Sequence, residues 1–409
     1  MTKVVQLQIS IKSAGSSALR LHKAFTEEGI QSSIISLQTS IVTEQNIKYL
    51  SKKSRIISRL DGELRNYINR KTIKKYGSFS FPILGTNVSE MEEIKNADVI
   101  YLHWILGGFL NFSNIEQLFK LKKPVIIVMH DMWWITGGCH HSFDCNKYIE
   151  ECNNCQFFPG NKKNDLSTKG FKKKLKLYSK YNNLFFISPS QWLYACAQKS
   201  LITKDKPVFY IPNAIDNTHF KPFDKNVARQ ILNINPTETV IAFGAVEVNS
   251  PYKGWALLQE ALDILKRDSV LKNISILIFG SGYNKNIADA IPFKTNFLGY
   301  LDEYSVTIAY NAADVFVVPS LADNQPTTVM ESLCCGTAVV GFDVGGIPDM
   351  IMHKENGYLA KYKDSEDISN GIQYCIKNKI KGKILPIFEK THIVKKHLDL
   401  INKLRSMQY

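Results

Sequence analysis

Residues 317–350 read VVPSLADNQPTTVMESLCCGTAVVGFDVGGIPDM. The apolar run that ends at Val318 and the run Ala338–Phe342 are continuous rather than alternating, which is how strands buried on both faces read. Between them Pro326 opens a helix-length stretch, and proline's fixed φ and missing N–H suit a first helical turn. The segment is expected to run strand, loop, helix, strand, loop. The backbone N–H groups of Thr327, Thr328 and Val329, at the helix start, are expected to form an anion site suited to phosphate. Asp323 and Glu331 flank that start, eight residues apart. A carboxylate beside a phosphate makes poor charge pairing; it makes better sense as an acceptor for sugar hydroxyls.

The same alternation extends outward in both directions. Strands are expected at Val4–Ile9, Ser33–Leu37, Ala97–Trp104, Pro124–His130 and Leu184–Pro189, then at Val240–Val246, Ile274–Phe279, Asn296–Leu301, Asp314–Pro319 and Ala338–Phe342. Two successive βα arrays predict an α/β protein of two Rossmann-like, doubly wound domains facing across a cleft, with Pro207–Pro222 as the crossover. Open parallel sheets bind ligands outside the carboxyl ends of their strands.

The chain has 409 residues, of which 44 % are hydrophobic and 22 % charged, a soluble globular composition. The start, MTKVVQLQIS, reads as a strand rather than a signal peptide, and no apolar stretch nears the roughly 18 residues of a membrane span. A cytoplasmic location is expected, where clustered cysteines more often mean metal or catalysis than disulfides. The formal charge of +14 is uneven: residues 1–200 hold 28 Lys/Arg against 15 Asp/Glu, and residues 201–409 hold 23 against 22. Basic residues concentrate in Lys48–Lys75 and Lys169–Lys180, which suggests an anionic partner for the first half or, equally, solvated helix faces.

The Asp323…Glu331 pair followed by SLCCGTAVV resembles the E-x7-E signature of retaining family 4 glycosyltransferases of the GT-B fold. The resemblance implies that Asp323 contacts the donor sugar and Glu331 holds the ribose of a UDP- or GDP-sugar. Asp323 departs from the usual Glu by one methylene. Lys253-Gly254 is similar to the family's Lys-Gly at the donor pyrophosphate, where an ammonium would stabilise the departing diphosphate. Gly280 in the turn FGSG and Gly346 in the loop GGIPD match donor-side loops. Gly244-Ala245 stands where many members have Gly-Arg, so one phosphate cation of the pattern is missing. The implied domains are 1–205, binding the acceptor, 206–390, binding the nucleotide-sugar, and a helix in 391–409 packing back towards the first.

In the first half, Gly15 within AGSS resembles the family's glycine loop near the transferred sugar. His130 ends the apolar strand Pro124–Met129, so it should sit at a carboxyl end; the resemblance implies contact with the sugar, with Asp131 as its orienter. No Asp-x-Asp triplet occurs, in keeping with a reaction that uses no catalytic metal. Cys139, Cys145, Cys152 and Cys155 follow as C-x5-C-x6-C-x2-C. They could hold a structural zinc, with His140 or His141 as substitute ligands, remain free thiols, or form disulfides. The segment resembles an insert of the bacterial colanic-acid-biosynthesis type, which builds surface polysaccharide; Trp133 and Trp134 would pack or stack on sugar. Lys169–Lys180 mixes lysines with Phe171, Leu175, Leu177 and Tyr178, a composition suited to a helix on the anionic inner face of the cell membrane. The expected activity is hexosyl transfer to a glycan, lipid-linked in this reading. Rival expectations are a nucleotide-sugar epimerase of the same architecture and a zinc-dependent nucleic-acid-binding protein, the latter disfavoured because no nucleic-acid module is recognisable.

Overall fold

The computed structural model describes residues 2–11, 16–40, 44–70, 72–73, 77–160, 163–282, 287, 289–407. The chain forms two compact units, Met1–Ala214 with Lys390–Tyr409, and Ile215–Glu389. The first change of unit falls inside the Pro207–Pro222 stretch, nine residues beyond the expected boundary at 205.

Unit 1 is a parallel sheet of β1 (Lys3–Gln8), β2 (Gln31–Ser36), β3 (Ile47–Tyr49), β4 (Val99–Leu102), β5 (Val125–Val128), β6 (Leu184–Ser188) and β7 (Val208–Tyr210), in the order β3-β2-β1-β4-β5-β6-β7. Every residue of β4, β5 and β6 is buried, which is why these segments read as unbroken apolar runs. Helices α1 (Ser16–Glu27), α2 (Lys52–Asn69), α3 (Glu92–Asn96), α4 (Phe112–Lys120), α5 (Leu166–Ser179) and α6 (Gln191–Lys199) connect them. Side-chain oxygens of Asn111, Asp165 and Ser190 accept the third backbone N–H of α4, α5 and α6 and so fix where each helix begins.

Unit 2 holds β8 (Thr239–Glu247), β9 (Ile274–Ser281), β10 (Lys294–Phe297), β11 (Val315–Val318), β12 (Ala338–Phe342) and β13 (Gly357–Ala360), ordered β10-β9-β8-β11-β12-β13 and all parallel. Its helices are α7 (Lys225–Ile231), α8 (Trp255–Asp268), α9 (Glu303–Ala312), α10 (Thr327–Cys334) and α11 (Ser365–Lys377). Apolar clusters cover the sheet, one with Met330 and Leu333 of α10, the other with Leu258 and Leu262 of α8 and Ile368 of α11. In both units the order reverses after the third strand of the array, placing a switch point between β1 and β4 and another between β8 and β11.

The last helix, α12 (Lys390–Arg405), belongs to unit 1. Its Ile393, Val394, Ile401 and Leu404 pack with Phe25 and Leu21 of α1, and the Tyr101 hydroxyl meets His397 Nδ1 at 3.1 Å.

Helix α5 corrects one expectation. Of the four apolar residues named there, Phe171, Leu177 and Tyr178 are 1, 7 and 1 % exposed and belong to the core of unit 1, and Leu175 is half-buried, so most of its apolar face is spent on packing.

Candidate active site

The unit 2 site is assembled by three loops at the carboxyl ends of neighbouring strands. After β8, Pro251–Lys253 makes a single 3-10 turn, and Gly254 follows at φ +71°. A Cβ on Gly254 would stand 1.8 Å from the Pro319 carbonyl oxygen, so glycine lets this loop press against the end of β11. The Leu321 N–H, donating to the Tyr252 carbonyl at 2.7 Å, ties the same two loops together. After β12, the Gly346 N–H donates to the Asp323 carbonyl at 3.1 Å. Gly345, at φ +60°, would put an added Cβ 1.9 Å from that oxygen.

The loops bring Lys253 and Asp323 together. Lys253 Nζ donates to Asp323 Oδ2 at 2.6 Å, and Ser320 Oγ donates to the same oxygen at 3.2 Å. Burial opposes the Lys253 charge, but the Asp323 carboxylate outweighs it and raises the lysine above its ordinary value. The pair is thus a fixed, charged and largely dehydrated group. Glu331 is buried on α10, and the Tyr310 hydroxyl donates to its Oε2 at 3.1 Å. Pro326 caps α10 without a side-chain bond. The Val329 N–H already donates to the Pro326 carbonyl at 3.1 Å, because it closes the first turn; the expected phosphate site is therefore reduced to Thr327 and Thr328. Gly280 likewise presents no amide, since its N–H donates to the Gly299 carbonyl at 2.7 Å. Its lack of a Cβ serves packing: an added one would lie 1.7 Å from the Ala245 carbonyl oxygen.

In unit 1, His130 follows β5 and lines a recess with His103, Trp104, Asp131 and Trp134. The expectation that Asp131 orients His130 is overturned. Asp131 Oδ2 pairs with His140 Nδ1 at 2.9 Å and Oδ1 accepts the Trp133 N–H at 2.7 Å. His130 instead meets His103, whose Nδ1 lies 3.0 Å from His130 Nε2, with the rings stacked at 5.3 Å. His103 Nε2 meets Gln6 Oε1 at 2.9 Å, and Gln6 Nε2 donates to Ser32 Oγ at 3.1 Å. Ser32 Oγ meets His22 Nδ1 at 2.8 Å, and His22 Nε2 meets the Gln45 carbonyl at 3.1 Å. A carbonyl only accepts and an amide oxygen only accepts, so one proton arrangement satisfies the whole chain. Each bond is donated from the His130 side in the first half: His130 Nε2–H to His103 Nδ1, then His103 Nε2–H to Gln6. His130 Nδ1 is then the acceptor nitrogen. Burial lowers His130 to about 4, against the nearby Asp131 charge, and keeps the ring neutral. Burial is also the main cause that lowers His103 well below the ordinary histidine value. The sequence rule that found His130, a polar residue at the end of a buried strand, applies equally to His103 after β4.

Cys139, Cys145, Cys152 and Cys155 are free thiols that line one cavity with Thr136, Tyr148 and Phe157. The structure thus brings the four together, but among the described residues no three His, Cys, Asp or Glu side chains stand in metal-binding geometry. His140 is not a substitute ligand, because Asp131 and Ser80 Oγ (2.8 Å) engage its two nitrogens. Burial pushes Cys152 up to about 12 and raises Cys139 and Cys155. Trp133 and Trp134 are buried, which makes them packing residues rather than a sugar platform. The ammonium of Lys174, on α5, lies 3.6 Å from the Trp133 ring centroid and donates to the Trp133 and Thr136 carbonyls. Burial lowers it to about 7. Gly15 lies outside the described residues.

Residues 224–386, all in unit 2, match the family described as glycosyl transferases group 1. D-inositol 3-phosphate glycosyltransferase of Rhodococcus opacus is 28 % identical over 174 residues, 39 % of this chain and 38 % of that protein. An uncharacterized glycosyltransferase of Haemophilus influenzae is 28 % identical over 134 residues, 31 % of this chain and 37 % of that one. The matched part of the chain thus spans less than two fifths of these relatives' length. Among solved structures, sucrose-phosphate synthase from Thermosynechococcus elongatus aligns over 99 % of both chains at 15 % identity, with a TM-score of 0.66. Anabaena Alr3699/HepE in complex with UDP and glucose aligns over 98 % of this chain and 100 % of that one, at 15 % identity and a TM-score of 0.63. The two Rossmann-like units are those of the GT-B fold.

Proposed function

We propose that the protein is a retaining, metal-independent glycosyltransferase that moves a hexosyl group from a UDP- or GDP-sugar to a glycan hydroxyl. The observation that carries this reading is the Lys253–Asp323 pair at the β8/β11 switch point, with Asp323 eight residues before buried Glu331, within the segment that matches the glycosyltransferase family. Glu331 would accept the ribose hydroxyls. Asp323 would accept a sugar hydroxyl, and Lys253, released from it, would take up the growing charge on the leaving diphosphate with the Thr327 and Thr328 amides. The C1–O bond to the diphosphate breaks, the acceptor oxygen bonds C1 on the same face, and the acceptor proton passes to the departing phosphate oxygen. No enzyme nucleophile is needed. His130, neutral and stacked on His103, would contact a sugar hydroxyl.

The acceptor is read as a lipid-linked glycan at the inner face of the cell membrane, in surface polysaccharide synthesis, and unit 1 as the acceptor side. Among the described residues no helix is long and apolar enough to cross a membrane. The cysteine cluster is read as a structural clasp of unit 1. Metal analysis of the purified protein separates a zinc clasp from a thiol core, and in either case donor binding is expected to survive chelation.

The test is a panel of nucleotide-sugars scored by thermal stabilisation, followed by transfer assays. One UDP- or GDP-sugar is expected to stabilise the protein, with nucleoside diphosphate released only when an acceptor is present. Conversion of the donor without acceptor would instead indicate an epimerase.

A further inference from the structure

Helix α2 is built inside out. Its buried residues are Ser54 and Asp61. Ser58 Oγ donates to the Gly107 carbonyl at 2.6 Å, and a Cβ on Gly108 would stand 2.5 Å from Ser58 Cα, so the helix sits on backbone through its small polar side. Asp61 Oδ1 accepts the N–H groups of Ile83 and Leu84 at 3.3 and 3.0 Å, which turns its charge inward. The opposite face carries Ile56, Leu60, Leu64 and Tyr67, 55, 55, 38 and 57 % exposed. Their spacing of four, four and three residues lines them up along one stripe of a 3.6-residue helix. Soluble helices show the reverse arrangement, and a contiguous exposed apolar stripe marks an interaction surface.

The stripe has a charged rim. Lys52, Lys53, Arg59 and Arg70 are exposed on the same helix or at its end, and Glu63 is its one exposed acid. Ile83, tied to α2 through Asp61, is 41 % exposed and extends the apolar patch. Two residues away, the Phe81 ring carries the ammonium of Lys173, on α5, at 5.3 Å, adding a cation from the other basic run.

We infer that α2 is a docking helix that lies in the headgroup region of an anionic lipid bilayer, its Ile56–Tyr67 stripe inserted and its basic rim on the lipid phosphates. A row of large apolar side chains flanked by Lys and Arg is the composition that such a surface binds. A second copy of the chain is a poor occupant, because it would bring two basic rims face to face. The inference deepens the lipid-linked reading above, and it moves the contact from α5, whose apolar face is buried, to α2. It uses no residue of the donor site.

The experiment is cosedimentation of the full chain with vesicles of phosphatidylcholine containing about a third phosphatidylglycerol, at low salt. The variant I56S/L60S/Y67S changes only outward-facing residues, and K52E/K53E/R59E changes only the rim. The wild type is expected to sediment with anionic vesicles and much less with phosphatidylcholine alone. Each variant should lower that partition at least about tenfold while keeping the wild-type melting temperature and donor stabilisation. Failure of the wild type to bind, undiminished binding by both variants, or a wild-type dimer abolished by the serine variant would overturn the inference. Donor stabilisation, measured on the same samples, reports separately on the transferase reading.

Discussion

At the strand-order reversal of unit 2, Lys253 and Asp323 meet as a charged pair; near the matching reversal of unit 1, His103 and His130 meet as stacked neutral rings. Both pairs follow buried parallel strands, and both are largely removed from water. The difference lies in what burial has to work against. For Lys253 an opposite charge at 2.6 Å outweighs desolvation and the ammonium persists. For His130 no partner compensates enough, and desolvation discharges the ring. In the proposed reading the same architecture yields one site for a diphosphate and another for sugar hydroxyls.

The sharpest way to break this contrast is at Lys253. Replacing it with alanine is expected to lower turnover by about 10²–10³-fold, the effect of removing a preorganised charge from a developing anion. Arginine should restore part of it, because the positive charge returns. Steady-state kinetics would show the loss in kcat; a change confined to KM would contradict the leaving-group role. Next in size is Glu331→Gln, which should weaken nucleotide binding by about 10–100-fold, the worth of one or two hydrogen bonds to a charged group. Calorimetry with the nucleoside diphosphate alone reads this without turnover. His130→Ala should cost about tenfold in kcat/KM and leave diphosphate affinity unchanged, since the neutral ring is assigned to the sugar.

The smallest effect is on stability. His103, His130 and His397 are all held below the ordinary histidine value, chiefly by burial. Between pH 6.5 and about 4 the unfolded chain binds protons that the folded chain refuses, so stability is full above pH 6.5 and falls as the pH drops. Thermal melts across that window should show the decline, and His130→Asn should flatten it. A melting temperature independent of pH there would argue against neutral, desolvated histidines.

Much of this was readable in the residues, for physical reasons. All ten expected strands overlap observed ones, because strands buried on both faces must be apolar throughout. The three that escaped notice, β3, β7 and β13, are three or four residues long and flank the sheets, where partial burial leaves a mixed pattern. Asp323 and Glu331 stood out by their spacing around a helix start and Lys253 by the family resemblance, whereas the direct Lys253–Asp323 contact depends on loops 70 residues apart. Pairings were the weak point. Asp131 stands next to His130 in sequence yet turns to His140, and the His103 that does meet His130 lies 27 residues away on the adjacent strand. Helices α2 and α5 show the same limit. Both are basic with interspersed apolar residues, and only packing reveals that α5 spends its apolar face inside while α2 leaves its own outside.

The central claim is that the charged pair of unit 2 serves a nucleotide-sugar whose hexosyl group is transferred with retention. Its most direct test is NMR of the product formed from the stabilising donor and a glycan acceptor. The account predicts an anomeric configuration equal to that of the donor, formed by the wild type and at least about a hundredfold more slowly by Lys253→Ala. An inverted anomer, or wild-type rates in that variant, would contradict it.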